Sequence, residues 1–257
     1  MKKRTLRVIW MTALTIFLVV SGCLHPISKQ PDTLNSIKLK PFLKLTKQTT
    51  IQFCNKKHQC RKITTTSSAS SSHFKRTKKY SYVLTSLHTL TGSPLPRKLL
   101  FAIAMSGGYI KSTKTKIFLT DTFMRNHNVL KTLYKNVRAD LVVLKLKRLN
   151  LPIYKIAEYR PRRKEKVYNV SSPLGLFGRG LVGVFSGRYL GQMFLRGGTF
   201  FAHTCPTTFG SSGAPILNSQ GEIVGVTSSV MRGFKNVAFS STLKDIKEIV
   251  SRLKVEK

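Results

Sequence analysis

TTFGSSGAPILNSQGEIVGVTSS, the segment from Thr207 to Ser229, carries two structural signals side by side. Its first half contains the turn GSSGAP at 210–215. Glycines on both sides of a serine pair let the backbone fold tightly, so that a hydroxyl projects from the turn while nearby NH groups converge on one point. The second half, with a polar turn at 218–221 between apolar segments, predicts a β-hairpin. A serine turn held by a hairpin suits the nucleophile of an acyl-transfer reaction.

This segment resembles the nucleophile motif of chymotrypsin-like (trypsin-fold) serine peptidases. The resemblance is nearest to the bacterial Deg-type and glutamyl-endopeptidase-type branches, in which Gly-x-Ser-Gly-x-Pro precedes a hairpin. The alternative is an ordinary turn, because a short pattern rich in glycine and serine also arises by chance. The interpretation therefore depends on a histidine and an aspartate upstream.

His88 has the surroundings that this family gives its general base. It follows a strand-like segment in YVLTSLHTL at 82–90, and Thr85-x-x-His88 matches the family's recurring Thr-x-x-His form. The alternative for His88 is a structural histidine at the end of a strand. The other five histidines lack these surroundings.

Asp140 is the best candidate for the acid that orients the histidine. It opens the apolar segment DLVVLK at 140–145, which is the local form that the family uses for its triad acid. Asp121 precedes a basic loop and fits less well, while Asp32 and Asp245 lie in a basic linker and a terminal helix. The alternative role for Asp140 is to cap a strand.

The order His88, Asp140, Ser212 is the chymotrypsin-like order, which differs from that of subtilisins and α/β-hydrolases. The resemblance covers roughly residues 50–254, and SSPLG at 171–175 resembles the family's Gly-x-Pro-x-Gly turn. It implies that His88, Asp140 and Ser212 are catalytic and that the NH groups of Gly210 and Ser212 form the oxyanion hole. Ser211 replaces the Asp that pairs with a new N-terminus in digestive enzymes, which excludes that mode of activation. No metal or cofactor is implied.

The resemblance also places the substrate-binding residues and predicts cleavage after small or medium uncharged side chains. The base of the primary pocket lies six residues before the nucleophile, where this chain has uncharged residues. The strand after the hairpin lacks the histidine of glutamyl-specific enzymes. A charged substrate side chain would therefore be buried there without a partner. The expected substrate-binding residues are Pro206, Thr207, Ser228, Ser229, Val230, Val237 and Phe239.

The strand pattern independently indicates an all-β fold. Short β-branched or aromatic segments separated by turn residues favour a barrel or sandwich over βαβ units. The segments are 50–53, 62–66, 80–85, 99–104, 115–119, 141–146, 166–170, 181–185 and 199–203. One helix is expected from Leu243 to Leu253, with Thr242 as its N-cap. Together with the resemblance, this predicts two antiparallel six-stranded β-barrels and a C-terminal α-helix.

Residues 1–22 have the pattern of a bacterial lipoprotein signal peptide. Four basic residues precede an apolar run from Val8 to Val20, which is shorter than a membrane span. VSGC at 20–23 resembles a lipobox, in which Cys23 would be lipidated; a plain signal peptide or an uncleaved anchor is the alternative. Residues 23–49 are basic, contain proline and lack a sustained apolar period, which predicts a tether before a peptidase domain at 50–257. The chain is therefore expected to be exported to the cell envelope.

The remaining cysteines agree with an exported protein. Cys54 and Cys60 bracket a short loop suited to a disulfide. A zinc site that uses Cys54, His58 and Cys60 is the alternative, although a fourth ligand is not evident. Cys205 is expected to be a buried free thiol.

The charge balance points to anionic partners. The 257-residue chain has 45 basic and 9 acidic residues, a formal charge of +36, which predicts attraction to anionic membranes or other polyanions but not a specific nucleic acid. Two functions besides peptide hydrolysis stay open: an inactive trypsin-fold binding protein and a basic module that binds polyanions. The first would need a disrupted triad or oxyanion glycine, which the sequence lacks. The second would need aromatic and basic residues on one patch, whereas the basic residues are scattered.

Overall fold

The fold is seen in a computed structural model that describes residues 38–92, 97–175, 182–195, 197–231 and 236–253, with the backbone alone described at 97–100. The predicted signal peptide at 1–22, the predicted lipidation site Cys23 and the part of the predicted tether up to residue 37 lie outside the described residues. Within the described part, two antiparallel six-stranded β-barrels close on themselves and a helix follows the second. The predicted fold class is therefore confirmed.

The first barrel has the strand order β1-β2-β3-β6-β5-β4. Its strands are β1 (Phe42–Cys54), β2 (Cys60–Arg76), β3 (Tyr80–Ser86), β4 (Tyr109–Asp121), β5 (Asn126–Asn136) and β6 (Leu141–Lys147). Its core is aliphatic, with Leu43, Val83, Leu119, Val142 and Leu144 all fully buried. Burial of this apolar surface is the main force that closes the barrel.

The second barrel has the order β10-β11-β12-β9-β8-β7. Its strands are β7 (Lys166–Ser171), β8 (Gly183–Leu195), β9 (Gly198–His203), β10 (Pro215–Leu217), β11 (Ile223–Val230) and β12 (Ala238–Ser241). Tyr189 stacks on Phe201 inside this barrel, with 4.7 Å between the ring centroids. The serine turn at 210–215 leads directly into β10, which attaches the turn to the second barrel.

Three α-helices accompany the barrels in the described part of the chain: α1 (His88–Thr91), α2 (Arg97–Met105) and α3 (Leu243–Ser251). Helix α3 begins as predicted, since Thr242 and Asp245 cap each other's backbone NH groups. Leu243, Ile246 and Ile249 are its buried residues. No helix among the described residues is long and apolar enough to cross a membrane.

The predicted boundary between tether and domain was wrong. The domain was expected to begin at residue 50, but β1 begins at Phe42 and pairs with both β2 and β4. Leu43 and Leu45 point into the core, whereas the next inward positions are Lys47 and Thr49, both buried. Because polar residues fill half of the inward positions, the segment lacks the apolar alternation that identifies a strand.

Two further segments differ from the sequence-based expectation. Residues 99–104 were expected to form a strand but belong to α2, whose Ile103 packs on Ile51 of β1. The basic loop after Asp121 leads into β5, a mostly polar strand that pairs with both β4 and β6. Tertiary pairing overrides weak local preference in both segments.

Cys54 and Cys60 form a disulfide that closes the β1–β2 hairpin. Their sulfur atoms are therefore not free thiolates, which overturns the zinc alternative. Cys205 is a buried free thiol, and burial raises its pKa to about 12. Among the described residues, no group of three or more His, Cys, Asp or Glu side chains has a metal-binding arrangement.

Candidate active site

His88 lies where barrel 1 meets barrel 2. It follows β3 and begins the short helix α1, and the NH of the preceding Leu87 donates to the Asp140 carbonyl at 3.1 Å. Its side chain remains about half exposed, so one side of the ring faces solvent. The imidazole is thus held on a strand end and is open to a substrate.

Asp140 sits in a tight turn directly before β6, with a left-handed φ of +51°. One carboxylate oxygen accepts the His88 NH at 2.8 Å. The other accepts the Ser228 hydroxyl and lies against His88 Nδ1, each at 2.6 Å. Burial raises the pKa of Asp140, but the hydrogen bonds and charge interaction with His88 and the Ser228 hydroxyl outweigh it and lower the pKa overall. Asp140 is therefore held as a carboxylate that orients the imidazole.

Ser212 completes the arrangement from barrel 2. Its Oγ lies 3.0 Å from His88 Nε2, and its carbonyl accepts the Ser70 NH at 2.8 Å. The next residue, Gly213, has φ of +83°, and a Cβ there would lie 2.1 Å from Thr85 Oγ1 and 2.2 Å from the Ser70 carbonyl oxygen. The two barrels therefore approach so closely at this turn that only glycine fits.

The backbone around the serine turn leaves two NH groups without an acceptor among the described residues. Gly210 has φ of +90°, and its carbonyl accepts the Ser70 hydroxyl at 2.8 Å. The Phe209 carbonyl accepts the Leu174 NH and is thereby directed away from the serine. Within the described residues, the NH groups of Gly210 and Ser212 have no recorded acceptor, so both are available to a negatively charged oxygen.

Five of the seven expected substrate-binding residues lie on two adjoining segments of barrel 2. The end of β11 places Ser228, Ser229 and Val230 in sequence, and its pairing sets Ser229 opposite Phe239. Val230 is exposed and Val237 is half-buried, whereas Phe239 is buried against Phe200 and Ala202. The exposed backbone and side chain near Val230 form an edge beside Ser228 and the Asp140 carboxylate.

Pro206 and Thr207 lie on the segment that leads to the serine turn. The buried Asn169 amide donates to the Pro206 carbonyl at 3.3 Å and to Thr207 Oγ1 at 3.2 Å. Thr207 Oγ1 in turn donates to the Cys205 carbonyl at 3.0 Å. Neither residue carries a charge, and the segment is held by neutral hydrogen bonds.

Sequence reasoning missed Ser70, which links the two barrels at the site. Besides its bonds to Gly210 and Ser212, its hydroxyl accepts the Ser172 NH at 3.2 Å, and its carbonyl accepts the Thr85 hydroxyl at 2.9 Å. Ser70 lies in a run of serines at 67–68 and 70–72 that matches no local motif. Only its position opposite the serine turn reveals its role.

Asp121 and His127 form a second acid–histidine pair, 3.0 Å apart, at the β4–β5 turn. Asp121 is fully buried and also accepts the Arg125 side chain and two backbone NH groups. Burial raises the pKa of Asp121, but these donors lower it overall. The pair closes a turn, and neither residue has a recorded hydrogen bond to His88, Asp140 or Ser212.

Comparison with known proteins agrees with this geometry. A family model described as a trypsin-like peptidase domain matches residues 70–226, a range that contains His88, Asp140 and Ser212. No curated protein sequence matches the chain.

Similar folds occur among solved structures. The serine endoprotease from Yersinia pestis has a TM-score of 0.60 and 16% identity over 90% of this chain and 68% of that chain. The Rv3671c protease from M. tuberculosis, in its active form, has a TM-score of 0.60 and 12% identity over 91% of this chain and 95% of that chain. An HtrA-type protease, AlgW with tripeptide, has a TM-score of 0.61 and 16% identity over 87% of this chain, which spans only 64% of AlgW. At these identities the likeness shows the fold alone.

Proposed function

The chain belongs to the trypsin-like peptidase family and is a serine endopeptidase, and from that premise we propose that His88, Asp140 and Ser212 are its catalytic triad. The observation that carries the proposal is the continuous hydrogen-bonded line from the Asp140 carboxylate through the His88 ring to Ser212 Oγ, with contacts of 2.6 and 3.0 Å. The order of the three residues along the chain is the family's order.

In this mechanism the Ser212 hydroxyl attacks the carbonyl carbon of the scissile peptide bond. His88 Nε2 accepts the hydroxyl proton and then donates it to the leaving amine, so that an acyl-enzyme forms and the amine product departs. Asp140 holds the Nδ1 proton of His88, which leaves Nε2 free to accept, and it stabilises the imidazolium. Water then attacks the acyl-enzyme by the same proton transfers, which releases the acid product and restores the Ser212 hydroxyl.

The NH groups of Gly210 and Ser212 stabilise the oxyanion of each tetrahedral intermediate. They are fixed by the glycine turn before the reaction begins, so no reorganisation is required when the charge develops. Loss of one such donor typically lowers the rate by about two to three orders of magnitude.

Labelling with a fluorophosphonate probe tests the nucleophile. Wild type is expected to be labelled and Ser212→Ala is not. Ser211→Ala is the matched control, because Ser211 belongs to the same serine pair but its hydroxyl donates to Ser171 in the interior. If labelling persists in Ser212→Ala and disappears in Ser211→Ala, the nucleophile is Ser211 and the proposal is wrong.

Kinetics of the triad variants tests the mechanism. His88→Ala, Asp140→Asn and Ser212→Ala are each expected to lower kcat by about four orders of magnitude or more, without loss of the folded state. Because the three residues act as a unit, His88→Ala combined with Ser212→Ala should be little slower than either alone. Independent, multiplicative losses would contradict the triad.

The primary pocket is proposed to accept small or medium uncharged side chains. Its proposed base, Pro206 and Thr207, is uncharged, and Asn169 supplies only an amide to it. Transfer of a charged side chain into such a site without a partner costs about several kcal/mol. Digestion of a peptide library, read by mass spectrometry, should show cleavage after Ala, Val or similar residues. Dominant cleavage after Arg, Lys or Glu would contradict this pocket.

Export and anchoring are proposed from the sequence of residues 1–23. The basic start, the apolar run and VSGC at 20–23 fit a lipoprotein signal, after whose removal 41 basic and 9 acidic residues remain, a formal charge of +32. Metabolic labelling with a fatty-acid analogue should mark the wild type and not Cys23→Ser. Equal labelling of both proteins would exclude Cys23 as the lipidation site.

A further inference from the structure

A cavity of about 560 Å³ opens beside the catalytic residues. His88, Phe209, Gly210 and Ser212 line one part of it, and the remaining described wall comes from barrel 1, α1 with the following Gly92, and the Leu174–Gly175 turn. Among the described residues, one Lys, Lys47, lines the cavity, together with several that bear hydroxyls: Thr49, Thr65, Thr66, Ser67, Ser68 and Thr89. No Asp or Glu is among the described residues that line it.

The position of the cavity relative to Ser212 assigns it to one side of the scissile bond. Pro206 and Thr207, the proposed base of the pocket for the residue before the scissile bond, and the neighbouring edge at Ser228–Val230 contribute nothing to its wall. The cavity extends instead along β1 and β2 of the other barrel. Substrate residues that follow the scissile bond therefore enter it.

Lys47 is an unusual residue for the inward face of a barrel strand. It follows Leu43 and Leu45 on the same face of β1, and only 8% of it is exposed. Its ammonium donates to the carbonyls of Leu90 and Gly92, at 2.7 and 2.8 Å, just beyond His88 on α1. An ammonium has three donors, so these two bonds leave one N–H without a recorded acceptor.

The charge of Lys47 is also uncompensated. Among the described residues no carboxylate forms an ion pair with it, and burial lowers its pKa. Burial of an unpaired charge is costly, and a residue such as Met would cover the same core without that cost. The two carbonyl bonds account for an anchoring role at α1, but they do not neutralise the charge.

We propose that Lys47 binds a carboxylate of the substrate on the C-terminal side of the scissile bond, so that the peptidase prefers acidic residues there. The hydroxyls of Thr66, Ser67 and Ser68 supply neutral donors to the same carboxylate. The Thr65 and Thr89 hydroxyls already donate to backbone carbonyls. This inference rests on the proposed function for the direction in which the substrate lies. The carboxylate can belong to an Asp or Glu side chain or to the end of a peptide chain.

Peptide binding to full-length Ser212→Ala protein tests the proposal without requiring cleavage. The probes are fluorescein-labelled, C-terminally amidated decapeptides with Val before the scissile bond and either Glu or Gln at the two positions after it. A third probe carries Gln at the same two positions but ends directly after them, with a free carboxylate in place of the amide. Fluorescence anisotropy gives each Kd.

The Glu peptide is expected to bind about tenfold more tightly than the Gln peptide at physiological salt. Lys47→Met in the Ser212→Ala background should bring the ratio of the two Kd values close to one. Lys44→Met is the matched control, because Lys44 lies on the same strand and bonds to the Gly175 carbonyl at 3.3 Å at the cavity rim. That variant should keep the ratio. Tighter binding of the third probe than of the Gln peptide would identify a chain end as the source of the carboxylate.

If the Glu and Gln peptides bind with equal Kd when Lys47 is intact, the proposal is wrong. This result does not depend on whether Lys47→Met folds. A ratio that disappears in Lys44→Met and persists in Lys47→Met would also overturn the proposal. Failure of the proposed function would be seen separately, as a wild-type protein that neither reacts with a fluorophosphonate nor cleaves peptides.

Discussion

Glycine conformation controls the candidate site at the scale of single residues. Gly210 adopts φ of +90°, and a Cβ there would lie 2.7 Å from the Ser172 carbonyl oxygen. A side chain would thus be strained by the backbone and would collide with the neighbouring turn. Either response would move the NH groups of Gly210 and Ser212.

Gly210→Ala is therefore expected to lower kcat/KM by about two to three orders of magnitude, because it disturbs the oxyanion donors. Gly197→Ala is the control, since Gly197 also has positive φ, +77°, but a Cβ there would meet nothing within 4 Å. It should cost about 1 kcal/mol of stability and leave kcat/KM unchanged. Equal activities of the two variants would contradict the oxyanion role of Gly210.

Some residues of the candidate site stand in local sequence patterns, and others do not. His88, Asp140 and Ser212 each stand in a short pattern that local backbone geometry requires: a strand end, a strand start and a glycine turn. Ser70 and Lys47 stand in no such pattern, because their contacts are with residues such as Gly210, 140 positions away, and Leu90, 43 positions away. Local periodicity has no information about such distant partners.

At the scale of elements, the long β1–β2 hairpin supports the wall of the cavity beside Ser212. Its strands pair from Phe42 with Ser72 to Cys54 with Cys60, where the disulfide closes the far end. Helix α2 packs Ile103 against Ile51 near that end. The hairpin is thereby anchored at the core by Leu43 and Leu45 and at its tip by a covalent link.

Removal of the disulfide by the double substitution Cys54→Ala and Cys60→Ala is expected to lower the free energy of unfolding by about 2 kcal/mol, because a short closed loop constrains the unfolded chain. Urea unfolding followed by circular dichroism measures the change, with reduced wild type as the matched comparison. Since the tip lies away from the triad, fluorophosphonate labelling should persist in the double variant. An unchanged free energy of unfolding would show that the disulfide does not support the hairpin.

At the scale of the whole molecule, two buried histidines connect stability to pH. Burial lowers the pKa of His73 to about 4, although its Nδ1 lies 2.8 Å from the Pro152 carbonyl, and burial lowers the pKa of His203 to about 3. Both histidines are neutral in the folded protein at pH 5.5. Their unfolded forms, with pKa values of about 6.5, bind protons there and favour unfolding.

The free energy of unfolding is expected to fall by about 3 kcal/mol between pH 7.5 and 5.5, because each histidine contributes about 1.4 kcal/mol per pH unit below its unfolded pKa. Carboxylates such as Asp121 and Asp140, with lowered pKa values, contribute only at lower pH. Chemical unfolding at a series of pH values measures the slope, and His73→Gln should reduce it by about half. A constant free energy of unfolding across this range would contradict the neutral buried state.

The formal charge of +36 predicts a second property of the whole molecule. Vesicles that contain an anionic lipid should bind the protein at low salt and release it as salt rises, because screening shortens the reach of surface charge to about 8 Å at physiological ionic strength. Vesicles of neutral lipid are the control for insertion of the N-terminal segment. Binding to anionic vesicles that does not change with salt would contradict an electrostatic association.

From the sequence alone we predicted the all-β barrel fold, the serine turn, the capped α3 helix and the order of the proposed triad residues, because short local patterns indicate strands, turns and helix caps. The sequence-based prediction placed the start of the domain eight residues too late and assigned 99–104 to a strand, because β1 and α2 are stabilised by partners distant along the chain. Only the tertiary structure brought Ser70 against Gly210 and left the Lys47 ammonium, with one N–H uncommitted, in a cavity that contains Ser212. Barrel closure decides these contacts, since it joins strands whose pairing no local pattern specifies.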